Sequence, residues 1–103
     1  NLKFNTMLQE EIKSLPKIEN MTNSNGNKTP NQFIITTPDY VVFQSYSSII
    51  AVQHRRTMKI VLDRQKWDYS ITTGKYRNQF TGLDKKQTIK AIESGEIELS
   101  DLN

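Results

Sequence analysis

The sequence predicts an α+β fold: a small four-stranded antiparallel meander packed by C-terminal helices, with an N-terminal helix attached through a flexible linker. Three observations carry this reading. The runs "QFIITT", "YVVFQSY", "SIIAVQH" and "MKIVLD" follow one another between residues 32 and 63, each rich in β-branched and aromatic residues. The breaks between them, such as Pro38-Asp39 and Arg55-Arg56-Thr57, are short, and short breaks favour antiparallel neighbours. Beyond residue 66 the apolar period lengthens: Tyr69, Thr73, Tyr76, Phe80 and Leu83 fall within one arc at helical spacing.

Taken in order, Phe4, Met7, Leu8, Ile12 and Leu15 follow helical spacing, with Thr6 and Gln9 placed like a capping box and Pro16 ending the pattern. This predicts a short amphipathic helix over roughly residues 5 to 15. The stretch "KIENMTNSNGNKTPNQ" is dominated by Asn, Gly, Ser and Thr and reads as a linker. The expected organisation is therefore a helix over 1–16, a linker over 17–32 and a single α+β domain over 33–103. "YVVF" and "SIIAV" are nearly continuous apolar runs, which fits strands covered on more than one face. Gly82 can close the helix through Phe80, Asp84 with Gln87 forms a capping box, Ile89 and Ile92 supply an apolar stripe, and Gly95 stands where a second helix ends. The closing "EIELSDLN" reads as an edge strand or a packed tail.

Hydrophobic residues make up 35% and charged residues 24%, a polar balance still compatible with one folded core. The absence of cysteine removes disulfides and thiolate metal sites and is compatible with a reducing cytoplasm. No apolar run approaches the roughly 20 residues of a membrane span, and no signal-like segment opens the chain, so the expected location is cytoplasmic, with no membrane partner. Net charge is only +3, but it is unevenly spread. Between His54 and Lys90, Arg55, Arg56, Lys59, Arg64, Lys66, Lys75, Arg77, Lys85, Lys86 and Lys90 face only Asp63, Asp68 and Asp84, whereas Glu93, Glu96, Glu98 and Asp101 close the chain without a base. That asymmetry predicts a positive surface beside an acidic tail, and a polyanionic or acidic partner. The competing reading is a solvated basic face that serves solubility.

Catalytic constellations are weak. His54 is the single imidazole and ends a strand beside two arginines, so it reads as a strand-end residue rather than the base of a nucleophilic site. Glu11-Ile12-Lys13 and Asp84-Lys85-Lys86, with Asp39, have the local spacing of metal-dependent nucleases, yet no strand aligns them. The glycines are isolated, and no phosphate loop is formed. No enzyme activity and no cofactor or metal is expected. For nucleic-acid binding, Arg55, Arg56, Lys59, Lys66, Lys75 and Arg77 would meet phosphates, while Trp67, Tyr69 and Tyr76 could stack on bases. Helical spacing turns Tyr69, Tyr76 and Phe80 inward and sets Lys75 and Arg77 beside that arc, so the cations are the better candidates. The predicted partner-binding residues are Arg55, Arg56, Lys59, Lys66, Lys75, Arg77, Asn78, Lys85 and Lys86.

The segments "FQSYSSIIAV", "KWDYSITTGKYRNQF" and "ESGEIELSDLN" resemble an uncharacterised family of small accessory proteins carried by bacterial phages and plasmids. The resemblance covers residues 40 to 103 and brings no catalytic residue with it. It implies a protein that binds and blocks a host factor, as anti-CRISPR proteins block Cas nucleases. The resulting expectation is a non-enzymatic inhibitor in the host cytoplasm, acting on a Cas9-type nuclease or its guide RNA loading. The alternatives are a small nucleic-acid-binding regulator and a metal-dependent RNA nuclease. A homodimer by strand pairing is a further option if "SIIAV" or "MKIVLD" lies at an uncovered edge.

Overall fold

The computed structural model describes residues 2–103. The elements in chain order are α1 (Leu2–Ser14), β1 (Lys17–Thr22), β2 (Lys28–Thr36), β3 (Tyr40–Ser45), β4 (Ser48–His54), β5 (Ile60–Asp63), α2 (Ile71–Thr81), α3 (Lys85–Ser94) and β6 (Ile97–Ser100). The fold class is α+β as predicted, but the strands form one six-stranded sheet in the order β1-β2-β3-β4-β5-β6 rather than a four-stranded meander. The first five pair antiparallel and β6 joins β5 in parallel. A parallel neighbour requires a crossover of a dozen or more residues, and α2 with α3 supplies it. The closing segment is thus an edge strand, while neither "SIIAV" nor "MKIVLD" lies at an edge.

The larger correction concerns residues 17 to 32, which form β1 and the start of β2 rather than a linker. Their Asn-rich composition is turn chemistry. The Asn23 side-chain oxygen accepts from the backbone N–H groups of Asn25 and Asn27, both at 3.0 Å, and Gly26 takes a φ of 79°. Such self-bonding and left-handed geometry is what Asn and Gly contribute to tight turns. The hairpin is also tied to the core. Met21 is buried there, and the Thr29 hydroxyl meets the Tyr76 hydroxyl of α2 at 2.8 Å. Tyr76→Phe should lower stability by about 1 kcal/mol through loss of that bond. Paired urea melts check this, and Thr29→Val combined with Tyr76→Phe should cost little more than either alone.

Strand register sorts the sheet into two faces. Ile34, Phe43, Ala51, Leu62 and Leu99 pair in sequence across β2 to β6. This row faces the helices, with Tyr76, Phe80, Ala91, Ile92 and Trp67 packed on it and the Phe43 and Phe80 rings stacked at 6.0 Å. Gly82 and Gly95 end the helices in left-handed conformations (φ 76° and 81°), and Asp84 with Gln87 forms the predicted reciprocal capping box. Two details differ. Thr6 lies inside α1, its hydroxyl donating to the Leu2 carbonyl, so it is no cap. On α3 it is Thr88 and Ala91 that are fully buried, while Ile89 is exposed.

Candidate binding surface

The segment Trp67 to Asn78 is held by an arginine that faces inward. Ser70 caps α2, its hydroxyl oxygen accepting from the Thr73 N–H at 3.1 Å, which starts the helix at Ile71 and leaves Tyr69 outside and exposed. Thr73, Tyr76 and Phe80 point toward the sheet as predicted. Arg77 joins them, only 1% exposed. Its Nη1 donates to the Trp67 carbonyl at 2.8 Å and to Asp68 Oδ1 at 3.0 Å, and its Nη2 donates to Asn78 Oδ1 at 2.9 Å. The guanidinium lies 5.1 Å from the Trp67 ring centroid. Lys85 Nζ reaches the other Asp68 oxygen at 2.8 Å, so one carboxylate joins a buried and a surface cation. Burial raises the Asp68 pKa, but hydrogen bonds and charge from Lys85 and Arg77 outweigh it and leave the carboxyl below its ordinary value.

The predicted binding residues therefore do not form one rim. Arg77 is a structural residue enclosed by Trp67, Asp68 and Asn78, and Asn78 is its half-buried acceptor. Arg55 donates to the Thr37 and Pro38 carbonyls and, with exposed Arg56, lines a hollow beside Asp39 and His54. His54 ends β4, its Nδ1 accepting from the backbone N–H groups of Arg56 and Thr57, as a strand-end residue would. Lys59 pairs with Glu98 at 2.7 Å and lines a different hollow under the β4–β5 turn. Lys66 sits 5.4 Å from the Tyr69 ring centroid. Because β6 lies against β5, Glu98 meets Lys59 and Asp101 meets Arg64, so the acidic tail folds onto the basic segment instead of standing apart.

What stays open is the outer surface of the helical layer. An open depression of about 710 Å³ is lined by Asp68, Ile71, Lys75, Asn78 and Lys85, among others. Ile71 is 94% exposed at its edge. On α3, Lys86 and Lys90 are four residues apart and so share a side, next to exposed Ile89. Among the described residues, Lys75, Lys86 and Lys90 have no carboxylate partner. Nor does any group of three or more His, Cys, Asp or Glu suited to a metal ion occur among them. No described helix is long and apolar enough to cross a membrane.

Fold and surface together define a small α+β protein whose sheet carries helices on one face and whose helical layer presents exposed isoleucines and lysines that have no carboxylate partner among the described residues. The chain belongs to a Family of unknown function (DUF8033), which matches residues 16–97. The matched span takes in the β1–β2 hairpin and leaves α1 outside. No curated protein and no solved structure matches the chain.

Proposed function

We propose that this chain is a non-enzymatic binding protein of a mobile element that blocks a host nucleic-acid-handling factor, with a Cas9-type nuclease as the intended target. The observation that carries the reading is the lysine set Lys75, Lys86 and Lys90, which has no carboxylate partner among the described residues, with Lys75 one turn from exposed Ile71 and Lys86 and Lys90 beside exposed Ile89. Cations around apolar anchors suit an acidic protein surface: the charges steer encounter and the isoleucines supply the desolvated contact. The likeness of residues 40 to 103 to phage and plasmid accessory proteins supports the choice of a host target. Arg55, Arg56 and Lys66 remain accessory contacts in this reading, while Arg77 drops out of it.

The test adds the purified chain to Cas9 nucleases of several types before and after guide loading and follows DNA cleavage. Inhibition in at least one order is expected, and it should fall at least tenfold in K75E/K86E/K90E with the circular dichroism spectrum unchanged. Undiminished cleavage in both orders with every nuclease would overturn the target. The same lysines could meet phosphates, as in a small nucleic-acid-binding regulator. That reading requires a band shift with DNA or RNA that weakens steeply with salt. The inward packing of Trp67, Tyr76 and Phe80 leaves Tyr69 as the one exposed ring of the Trp67–Phe80 segment, a poor platform for base stacking, and favours the protein target.

A further inference from the structure

The face of the sheet opposite the helices has its own apolar row. Ile18 pairs with Ile35, Ile35 with Val42, Val42 with Val52 and Val52 with Val61, so five aliphatic side chains run in register across β1 to β5. Phe33 lies one position along on the same face. Neither α2 nor α3 packs there, because their contacts are with the row through Phe43, Ala51 and Leu62. Ile18 is 66% exposed. The helices thus cover one face of the nearly continuous apolar strands, and on the other face Ile35, Val42, Val52 and Val61 are half-buried by their neighbours in the sheet.

A second exposed apolar surface lies in α1. None of its residues is buried, and exposed Met7, Leu8, Ile12 and Leu15 fall within one arc about 140° wide, with Met7 and Ile12, 55% and 56% exposed, at its two edges. Only Leu15 and Pro16 separate α1 from the edge strand β1. Pro16 holds its own φ and biases Leu15 toward extended backbone, which ends the helix before the strand begins. The chain is extended, with a longest dimension of 56 Å.

We infer that the occupant of the uncovered sheet face is the α1 helix of a second copy of this chain, each copy placing its helix on the other's sheet. Area supports a second copy. A folded monomer of 12.0 kDa should expose about 6,000 Å², whereas this chain exposes 7195 Å². Its radius of gyration is 15.8 Å against about 13 Å for a compact chain of this length. The excess, roughly 1,200 Å², exceeds the roughly 800 Å² each partner buries in an interface of standard size. Extents match as well. The 13 residues of α1 span about 20 Å, and a row across five strands covers about 19 Å. A reciprocal exchange closes on itself about a two-fold axis and uses both surfaces once.

The sequence contains no cysteine, so single cysteines report on this arrangement without background. Sedimentation of the full chain should give a species of twice the monomer mass at micromolar concentration. M7D/I12D, which touches no buried residue, should shift it to monomer at least a hundredfold more readily with the melting transition of the sheet retained. Mixed under mild oxidation, chains carrying only Ile12→Cys and chains carrying only Val52→Cys should cross-link to each other far more than Ile12→Cys chains do among themselves. A monomer at every concentration overturns the inference. So does a dimer indifferent to M7D/I12D, or cross-linking confined to one chain when both cysteines are placed together, which would mean that α1 folds onto its own sheet.

Discussion

Arg77→Ala is expected to destabilise the fold by about 3 to 5 kcal/mol, the range for removing one partner of a buried ion pair. At 1% exposure its guanidinium is out of water, and three different acceptors depend on it: the Trp67 carbonyl, Asp68 Oδ1 and Asn78 Oδ1. Alanine leaves those acceptors short of a donor, removes the cation from the Trp67 ring and opens space against the core. In a domain of this size the melting temperature should fall by more than about 10 °C. Lys85→Ala is the informative control. It breaks the other bond to Asp68, but Lys85 is a surface residue whose loss should cost less than about 1 kcal/mol. Thermal melts of both variants decide the matter. Arg77→Ala with near-normal stability would mean that the network holds nothing and that the cation is free to serve a partner.

The misplacement of Arg77 shows where sequence reasoning stopped. Measured from Tyr76 alone, Arg77 stands about 100° away and looks like a flank. Measured from Thr73 and Phe80 it lies within about 60° of both, at the i+4 and i−3 positions that share a face. The helical period therefore contained the answer, and the assumption that arginine belongs outside overrode it. What the period could not supply was the reason burial is tolerated, since Trp67 and Asp68 precede the helix and reach Arg77 only after Ser70 turns the chain. The helix ends were legible because their causes are local: Asp84 with Gln87, Gly82 and Gly95 act through residues three or four positions away. The first arm and turn of the hairpin, residues 17 to 31, were not, although "QFIITT" marked the end of its second arm. Their apolar members alternate too sparsely to register as strands, and their stability comes from partners distant in sequence, above all Tyr76 with Thr29 and Met21 in the core. Charge was misread for the same reason. The acidic tail and the basic segment are far apart along the chain, and only the parallel pairing of β5 with β6 brings Glu98 to Lys59 and Asp101 to Arg64.

That pairing depends on a buried carboxylate at the end of β5, and Asp63→Ala should cost about 3 kcal/mol. Asp63 is 3% exposed. Its Oδ2 accepts from the N–H groups of Gln65 and Lys66 at 3.2 and 2.9 Å, and its Oδ1 accepts from Leu102 at 2.8 Å. One side chain thus turns the chain out of β5 and fastens the residues after β6, whose last member, Asn103, brackets Ile49 with two further hydrogen bonds. Alanine leaves these donors without an acceptor and frees the tail, so urea unfolding should shift and amide exchange should rise at residues 102 and 103. The pH dependence follows from the same contacts. Burial raises the Asp63 pKa, but hydrogen bonds from Leu102, Asn103, Lys66 and Gln65 together prevail and hold it below its ordinary value. A carboxyl depressed in the folded state binds fewer protons there than in the unfolded chain, so its stabilisation is complete above about pH 4 and disappears as pH falls through the folded value. Asp63→Asn retains an acceptor but cannot ionise. Its deficit relative to the parent should be largest near neutrality and shrink below about pH 4. Urea midpoints for the two proteins between pH 3 and 7 measure this. A deficit that stays constant across the range would assign the effect to shape and hydrogen-bond count and remove charge from the account.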